Sequence, residues 1–202
     1  MRIDEFIYTV DTICRKDLSN CVLVSERDYV TQLNALIRYP NGILNNTNTI
    51  VHSQTLSGSI EQSIGCDSIM IFKLQGGYKV GLFEAKHPRY PSVNPIIAKY
   101  SYDWDSNKRF NIQLTKQENF KRSFPEVVIW EQFFDNGSLG QIKAPFIDDM
   151  GSSCILLEDI LPHNIGLPKW EYHLLNKALK KGMNIKLLIS KIVSCQIGTL
   201  IS

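Results

Sequence analysis

The sequence predicts an α/β protein in which helices flank a central mixed β-sheet, and three observations carry this prediction. Apolar residues recur at helical spacing in residues 3–37 and again near the C-terminus. Two apolar runs, residues 67–74 and 78–86, are separated by the turn-forming pair Gly76-Gly77, as in a β-hairpin. A helical segment then leads into another apolar run, and this order favours helices packed on a sheet.

Length and composition set the domain class. The chain has 202 residues, enough for one compact domain and too few for two ordinary ones. We expect a single domain over residues 1–202, with its core at about 20–135 and a C-terminal strand and helices at about 140–202. The composition, 44% hydrophobic and 21% charged, is typical of globular proteins.

Neither a membrane helix nor an export signal is indicated. No apolar run approaches the roughly 18 residues that a membrane helix needs, and the N-terminus "MRIDEFIYTV" is acidic where a signal peptide is basic. The five cysteines are scattered and form no C-x-x-C pair, so we expect reduced thiols rather than a zinc knuckle or a disulfide framework. We therefore predict a cytoplasmic protein with no membrane partner.

Two helices are predicted in the first 40 residues. Residues 3–14 place their apolar side chains on one helix face. Ser25 is a typical N-cap residue with Asp28 three positions later, and apolar spacing continues a second helix up to the turn sequence "RYPNG".

The remaining predicted elements follow in this order: strands at 48–56, 67–74 and 78–86, a helix at 109–122, strands at 126–134 and 152–160, a helix at 170–181 and a last helix from residue 185. Residues 87–108 hold three prolines and four aromatic residues. They predict a long loop, and long loops inside compact domains are often functional.

The predicted hairpin places charged side chains on one face. Residues two apart in a strand share a face, so Glu84 and Lys86 point to the same side. If the double glycine forms a two-residue turn, Asp67 lies directly opposite Lys86 and diagonally across from Glu84. This register brings two carboxylates and an amine to one patch.

Such a patch suits a hard divalent cation. Mg²⁺ prefers oxygen ligands and is typically held by one or two carboxylates together with substrate phosphate oxygens. The ion lowers the pKa of a bound water and neutralises charge on a phosphodiester. A neighbouring lysine can orient the attacking water or stabilise the developing negative charge.

The sequence "GCD" at 65–67, followed by "EAK" at 84–86 in a hairpin, resembles the PD-(D/E)xK nuclease superfamily. The resemblance covers roughly residues 20–135, and it implies the restriction-endonuclease-like fold, a mixed sheet with one helix before the hairpin and one after it. The chain departs from the family pattern at one point, because Cys66 stands in place of the proline. The C-terminal helices form an extension that the resemblance does not cover.

The resemblance also implies roles for the residues of the motif. Asp67 and Glu84 are expected to ligate Mg²⁺, for which Mn²⁺ can substitute, and the backbone carbonyl of Ala85 is expected to be a further ligand. Lys86 is expected to serve the nucleophilic water.

Two further contributions are expected from the flanking helices. Members of this superfamily often add an acidic residue from the helix before the sheet, and Glu26 is the candidate, with Asp28 and Glu61 as alternatives. Many also place a glutamine on the helix after E-x-K. Gln113 and Gln117 lie on the apolar face of that predicted helix, so either could reach the site if it is not a surface residue.

The resemblance implies a metal-dependent nuclease, of endonuclease type, that hydrolyses phosphodiester bonds of nucleic acid, with DNA favoured over RNA. A homodimer is compatible with it. The alternative is a catalytically inactive module of the same fold that binds nucleic acid or a protein partner.

Charge and aromatic residues are compatible with a polyanionic ligand. Residues 86–122 hold eight basic and three acidic residues. Tyr100, Tyr102 and Trp104 lie among them and could stack on bases, while Arg109 could contact substrate phosphates. The alternative is a solvated helix face with aromatic residues packed on the body of the protein.

Two other interpretations of the motif remain open. Glu84, Lys86 and Asp67 could form only a weak ion pair on a solvent-exposed strand face. Cys66 could act as a nucleophile with His52 or His87 as its base, although nothing in its surroundings predicts a low thiol pKa.

Overall fold

The structure, a computed structural model, describes residues 1–20, 22–39, 50–87, 108–134, 151–164 and 172–202. Its helices are α1 (Ile3–Ser19), α2 (Glu26–Arg38), α3 (Gly58–Ile64), α4 (Lys108–Ser123), α5 (Leu157–Ile160), α6 (Tyr172–Leu179) and α7 (Ile185–Val193). Its strands are β1 (Ile50–Thr55), β2 (Ser68–Leu74), β3 (Gly77–Lys86), β4 (Val128–Phe133), β5 (Ser153–Leu156) and β6 (Met183–Asn184).

The six strands form one mixed sheet in the order β1-β2-β3-β4-β5-β6. All neighbours are antiparallel except β3 and β4, which run parallel. A parallel pair needs a crossover connection, and α4 lies in the connection between these two strands. The predicted α/β class with a mixed sheet flanked by helices is therefore confirmed.

Alternation along the strands divides the core between two faces of the sheet. One face carries Met70, Phe83 and Trp130 against α1, α2 and α7. The opposite face carries Leu82 and Ile129 against α4, α5 and α6. Side chains two positions apart in a strand share a face, so Glu84 and Lys86 follow Leu82 onto the α4 face.

The register of the hairpin differs from the prediction by two residues. Leu74 pairs with Gly77 and Ser68 with Phe83, so Gln75 and Gly76 form the turn. Gly76 supplies the left-handed φ of +88°. Gly77 belongs to β3, and the C-terminal segment packs so closely on it that a Cβ would collide with the Ile201 carbonyl oxygen.

The corrected register keeps the predicted faces. Continued past the end of β2, it sets Asp67 beside Glu84 and not opposite Lys86, as the sequence had suggested. A shift by an even number of residues leaves every side chain on its original face, because strand side chains alternate with period two.

Several predicted boundaries also change. The strand predicted at 152–160 ends at Leu156 and continues as α5, because Leu157 and Ile160 bury one helical face and two acidic residues occupy its first turn. Helix α3 and the short strand β6 were not predicted. Helix α2 begins as expected, since the Ser25 side chain accepts a hydrogen bond from the Asp28 amide at 3.2 Å.

Within the described ranges, no helix combines the length and the apolar character needed to cross a bilayer. Cys14, Cys66 and Cys154 are buried free thiols, and Cys195 is an exposed one. Cys21 lies outside the described residues.

Candidate active site

The hairpin brings Asp67, Glu84 and Lys86 together at one end of the sheet. Asp67 directly precedes β2, and its amide donates a hydrogen bond to the Phe83 carbonyl at 2.9 Å. Its carboxylate accepts a hydrogen bond from the Ala85 amide at 2.7 Å. These two bonds hold the Asp67 carboxylate beside the carboxyl end of β3.

Lys86 reaches back across this end of the strand. Its ammonium group donates a hydrogen bond to Glu84 Oε1 at 2.6 Å and another to Gln113 Oε1 at 2.9 Å. It also lies 5.1 Å from the centre of the Phe110 ring, a cation–π contact from α4. The lysine is thus enclosed between the strand and the helix that covers it.

A fourth charged residue, Glu131, belongs to the same group. It pairs in register with Glu84 across the parallel β3–β4 ladder, and its Oε2 lies 3.9 Å from Lys86 Nζ. Glu131 is fully buried, and neither of its carboxylate oxygens has a partner that meets hydrogen-bond geometry, although the Gln117 side chain is near enough to lower its pKa. We call Asp67, Glu84, Lys86 and Glu131 the hairpin cluster.

Glu131 was not predicted, although the sequence holds a signal for it. The residue lies in the middle of the apolar run "EVVIWEQFF" and shares a strand face with Ile129 and Phe133. A carboxylate in the centre of a buried strand is rarely found without a partner or a metal.

Burial raises the pKa values of the three carboxyl groups of the hairpin cluster. Burial, together with the neighbouring Glu84 charge, raises the pKa of Asp67 to about 8. Burial likewise raises the pKa of Glu84 to about 7 and that of Glu131 to about 7, against the opposing effect of Lys86. Like charges placed side by side in a ladder are destabilising, which makes this pairing unusual for a structural strand.

Lys86 remains a cation. Burial alone would lower the pKa of its ammonium group, but the nearby Glu84, Glu131 and Glu26 carboxylates together raise that pKa above its ordinary value. The raised pKa favours the charged ammonium form, which donates hydrogen bonds and accepts none.

Glu26 lies beside the cluster. It occupies the first turn of α2, and its Oε2 accepts a hydrogen bond from the His87 amide at 2.8 Å. Its charge raises the pKa of Asp67 and of Glu84. Asp28, weighed as an alternative, is occupied in capping α2, where its carboxylate accepts a hydrogen bond from the Val24 amide.

Helix α4 supplies two glutamines, and neither is an ordinary surface residue. Gln113 donates from its amide nitrogen to Glu84 Oε1, the oxygen that also receives Lys86. Gln117 is fully buried and donates to the Gly65 carbonyl at 2.6 Å. Gly65 allows this approach, because a Cβ there would lie 2.8 Å from the Gln113 carbonyl oxygen.

Other predicted contributors cannot be placed at the site. Arg109 lies in α4, but its side chain is outside the described part of the structure. The aromatic residues Tyr100, Tyr102 and Trp104 also lie outside the described residues. Glu61 lies on α3, and no described contact joins it to the hairpin cluster.

The thiol alternative is disfavoured by the surroundings of Cys66. The thiol is fully buried, and burial together with the Glu131, Glu84 and Asp67 carboxylates raises its pKa well above the ordinary value. A nucleophilic cysteine needs the opposite environment, one that stabilises the thiolate.

The donor atoms of the cluster fit a hard cation. Within the described ranges, no group of three or more His, Cys, Asp or Glu side chains is placed so that it could hold a metal ion. Lys86 and Gln113 occupy Glu84 Oε1 instead. Glu84 Oε2 and both Glu131 oxygens, however, are buried without a hydrogen bond. Carboxylate oxygens are ligands that Mg²⁺ prefers, and buried oxygens without a hydrogen bond call for an explanation such as a bound ion.

Comparisons with known proteins give no family assignment. No protein-family model matches the chain, and no curated protein is similar to it.

Proposed function

We propose that this protein is a Mg²⁺-dependent nuclease of the PD-(D/E)xK type, with DNA as the favoured substrate. One observation carries the proposal. A buried group of carboxylates with unsatisfied oxygens surrounds a charged lysine at the end of a hairpin. Such an arrangement is costly for the fold alone, because unpaired buried acceptors destabilise it.

The order of the elements supports a restriction-endonuclease-like fold. A helix, α2, precedes the hairpin and presents Glu26 beside it. The E-x-K strand, β3, is followed by α4 and then by the parallel strand β4. One helix before the hairpin and one after it, on a mixed sheet, is the arrangement that the resemblance implies, and Glu84 and Lys86 lie at the end of β3 beside β4.

The proposed cation ligands are Asp67, Glu84 and the Ala85 carbonyl. The Ala85 amide points to Asp67, and in an extended strand the carbonyl of a residue lies on the same edge as its amide. When bound, Mg²⁺ lowers the pKa of a water and neutralises phosphate charge. The side chains of Asp67 and Glu84 can take part only when deprotonated.

Lys86 is proposed to act on the reacting groups through its charge. Because its pKa is raised, it donates hydrogen bonds and does not remove a proton from water. An ammonium group at this place can orient a water or stabilise negative charge on the phosphodiester oxygens. Gln113, which contacts both Lys86 and Glu84, would hold these two side chains in place.

The experiment is a cleavage assay on plasmid, linear duplex and single-stranded DNA and on RNA, with Mg²⁺, Mn²⁺ or a chelator. The variants are Glu84→Gln and Lys86→Met, with Glu118→Gln and Lys73→Met as matched surface controls. We expect metal-dependent cleavage by the wild type and the controls, and losses on the order of 10²–10⁴-fold in the two site variants.

The outcomes separate the proposal from its rival. Unchanged cleavage in both Glu84→Gln and Lys86→Met would remove the site assignment. Binding of nucleic acid by the wild type without any cleavage would instead favour the inactive module.

A further inference from the structure

Glu131 is the charged residue of the hairpin cluster for which the proposed function gives no role. It is fully buried, both of its oxygens lack a hydrogen bond, and it faces Glu84 across the ladder. Burying a carboxylate is costly when the nearest cation, Lys86, lies 3.9 Å away, so its place in the centre of β4 calls for a closer partner.

The contacts of Lys86 create a conflict with cation binding. In this structure its ammonium group lies 2.6 Å from Glu84 Oε1. A divalent cation on Glu84 would stand next to that ammonium group, and the two positive charges would repel each other strongly in a buried place. Lys86 must therefore move when the cation binds.

Glu131 offers Lys86 a second position. Its Oε2 lies 3.9 Å from Lys86 Nζ, so a shift of about 1 Å would give an ion pair of ordinary length. The other nearby carboxylates are less suitable. Asp67 already accepts the Ala85 amide, and Glu26 already accepts the His87 amide.

We propose that Glu131 is a positioning residue that receives the Lys86 ammonium group when a divalent cation takes Glu84. Lys86 thus exchanges the Glu84 carboxylate for the Glu131 carboxylate. After the exchange its ammonium group is still charged and still lies next to the cation site. This inference rests on the proposed function, because it concerns the same cation site.

The test is a double-mutant cycle on cation affinity. Binding of Mn²⁺ and Ca²⁺ is measured by titration calorimetry in the wild type, Glu131→Gln, Lys86→Met and the double variant. Lys86→Met is expected to bind the cation more tightly, because it removes the competing charge. Glu131→Gln is expected to weaken binding about tenfold in the wild-type background and less than about threefold in the Lys86→Met background.

The cycle distinguishes positioning from a simpler electrostatic effect. If Glu131 were only a distant charge or a direct ligand, Glu131→Gln would weaken binding by the same factor in both backgrounds, and the inference would be overturned. Equal or weaker cation binding by Lys86→Met overturns it as well, and this result does not depend on the folding of any Glu131 variant. Glu118→Gln serves as the surface control and is expected to bind like the wild type.

The two proposals fail in different ways. A wild type that binds neither Mn²⁺ nor Ca²⁺ would overturn both the proposed function and the exchange. A wild type that binds and cleaves, with an additive cycle, would overturn the exchange alone.

Discussion

Two buried polar clusters lie on opposite faces of the same sheet, and they differ in how completely their hydrogen bonds are made. The first is the hairpin cluster on the α4 face. The second, which we call the Asp11 network, lies on the opposite face and consists of Asp11, Tyr29, Gln132 and Ser152. The adjacent residues Glu131 and Gln132 of β4 belong to different clusters, because successive strand residues point to opposite faces.

The Asp11 network is closed, in the sense that each of its four residues is hydrogen-bonded to another member. Asp11 is fully buried, and its carboxylate accepts hydrogen bonds from the Tyr29 hydroxyl at 2.5 Å and from the Ser152 amide at 2.9 Å. Gln132 donates to Tyr29 at 2.6 Å and accepts from the Trp130 indole at 3.1 Å. The network joins α1, α2 and β4 to the residue before β5, which is a structural task.

The hairpin cluster is open, in the sense that some of its buried oxygens accept no hydrogen bond. Three of its carboxylate oxygens are buried without a hydrogen bond, although the two clusters share β4 and are similarly buried. A closed buried network stabilises one arrangement of the chain, whereas an open one is costly until something else completes it. The comparison therefore supports our proposal that the site lies on the α4 face.

The largest expected effect is on activity, and it should separate the two faces. Glu84→Gln keeps the shape of the side chain but removes the charge that we propose binds the cation. We expect DNA cleavage to fall on the order of 10²–10⁴-fold, with little change in the melting temperature. Asp11→Asn, on the other face, is expected to keep cleavage within about tenfold of the wild type per folded molecule, since it touches no proposed ligand.

This contrast can fail in a definite way. Cleavage rates and melting temperatures are to be measured on the same preparations. A loss of activity in Asp11→Asn as large as that in Glu84→Gln would show that the two faces do not divide function from structure.

The next effect is a loss of stability, and it is expected in the Asp11 network and not in the hairpin cluster. Asp11→Ala removes the acceptor for the Tyr29 hydroxyl and the Ser152 amide and leaves both buried donors unpaired. We expect a loss of about 3 kcal/mol in the free energy of unfolding, measured by denaturant titration. Tyr29→Phe, which removes one hydroxyl and keeps the ring stacked on Phe134, should cost about 1 kcal/mol. Equal losses in the two variants would contradict a network centred on the carboxylate.

Much of the fold could be predicted because local patterns agree with the tertiary structure. Ser25 caps α2 as its side-chain chemistry indicates, and the alternation in β3 places Glu84 and Lys86 on one face. The turn was misplaced, because Gly76 and Gly77 are equivalent as local signals. Gly77 pairs with Leu74 in the ladder, and Ile201, far away in sequence, packs against it and pairs with Tyr78, which no local signal indicates. Helix α5 was missed for a related reason, since Leu157 and Ile160 fit either an apolar strand or a short buried helix.

The site could be predicted only in part. Asp67, Glu84 and Lys86 form a local motif, and the even shift in register did not separate them. Glu131 comes to the cluster through the parallel β3–β4 pairing, a contact between distant parts of the chain that no hairpin argument supplies. The burial of Gln117 likewise depends on the close approach of α4 to Gly65.

A smaller effect concerns cations and pH. In the metal-free protein the pKa values of Asp67, Glu84 and Glu131 are raised, to about 8, 7 and 7. The folded state therefore holds more protons than the unfolded state between about pH 4 and pH 8, and stability should decrease as pH rises through that range. Melting temperatures measured in a chelating buffer from pH 5 to pH 8.5 test this direction.

Divalent cations should oppose this loss of stability at higher pH, because they bind deprotonated carboxylates. With a Kd of about 1 mM, 10 mM Mg²⁺ would stabilise the fold by about 1.4 kcal/mol, or about 3–6 °C in melting temperature. The shift should be larger at pH 8 than at pH 5.5 and should be absent in Asp67→Asn. A shift of the same size at both pH values, or one retained in Asp67→Asn, would show that the cation binds elsewhere.

The smallest expected effect is the most direct test of the cost of an open cluster. Glu131→Gln replaces a buried charge that lacks hydrogen bonds by a neutral group of the same shape. In the metal-free protein at pH 8 it should raise the free energy of unfolding by roughly 1 kcal/mol, because the burial cost of the carboxylate exceeds the attraction of Lys86. The gain should diminish towards pH 5, where the wild-type carboxyl group is itself protonated. Glu118→Gln, at an exposed ion pair, should change stability by less than about 0.5 kcal/mol at either pH. Destabilisation by Glu131→Gln at pH 8 would mean that the ion pair between Lys86 and Glu131 already stabilises this part of the sheet. The hairpin cluster would then stabilise the fold as the Asp11 network does, although its hydrogen bonds are incomplete.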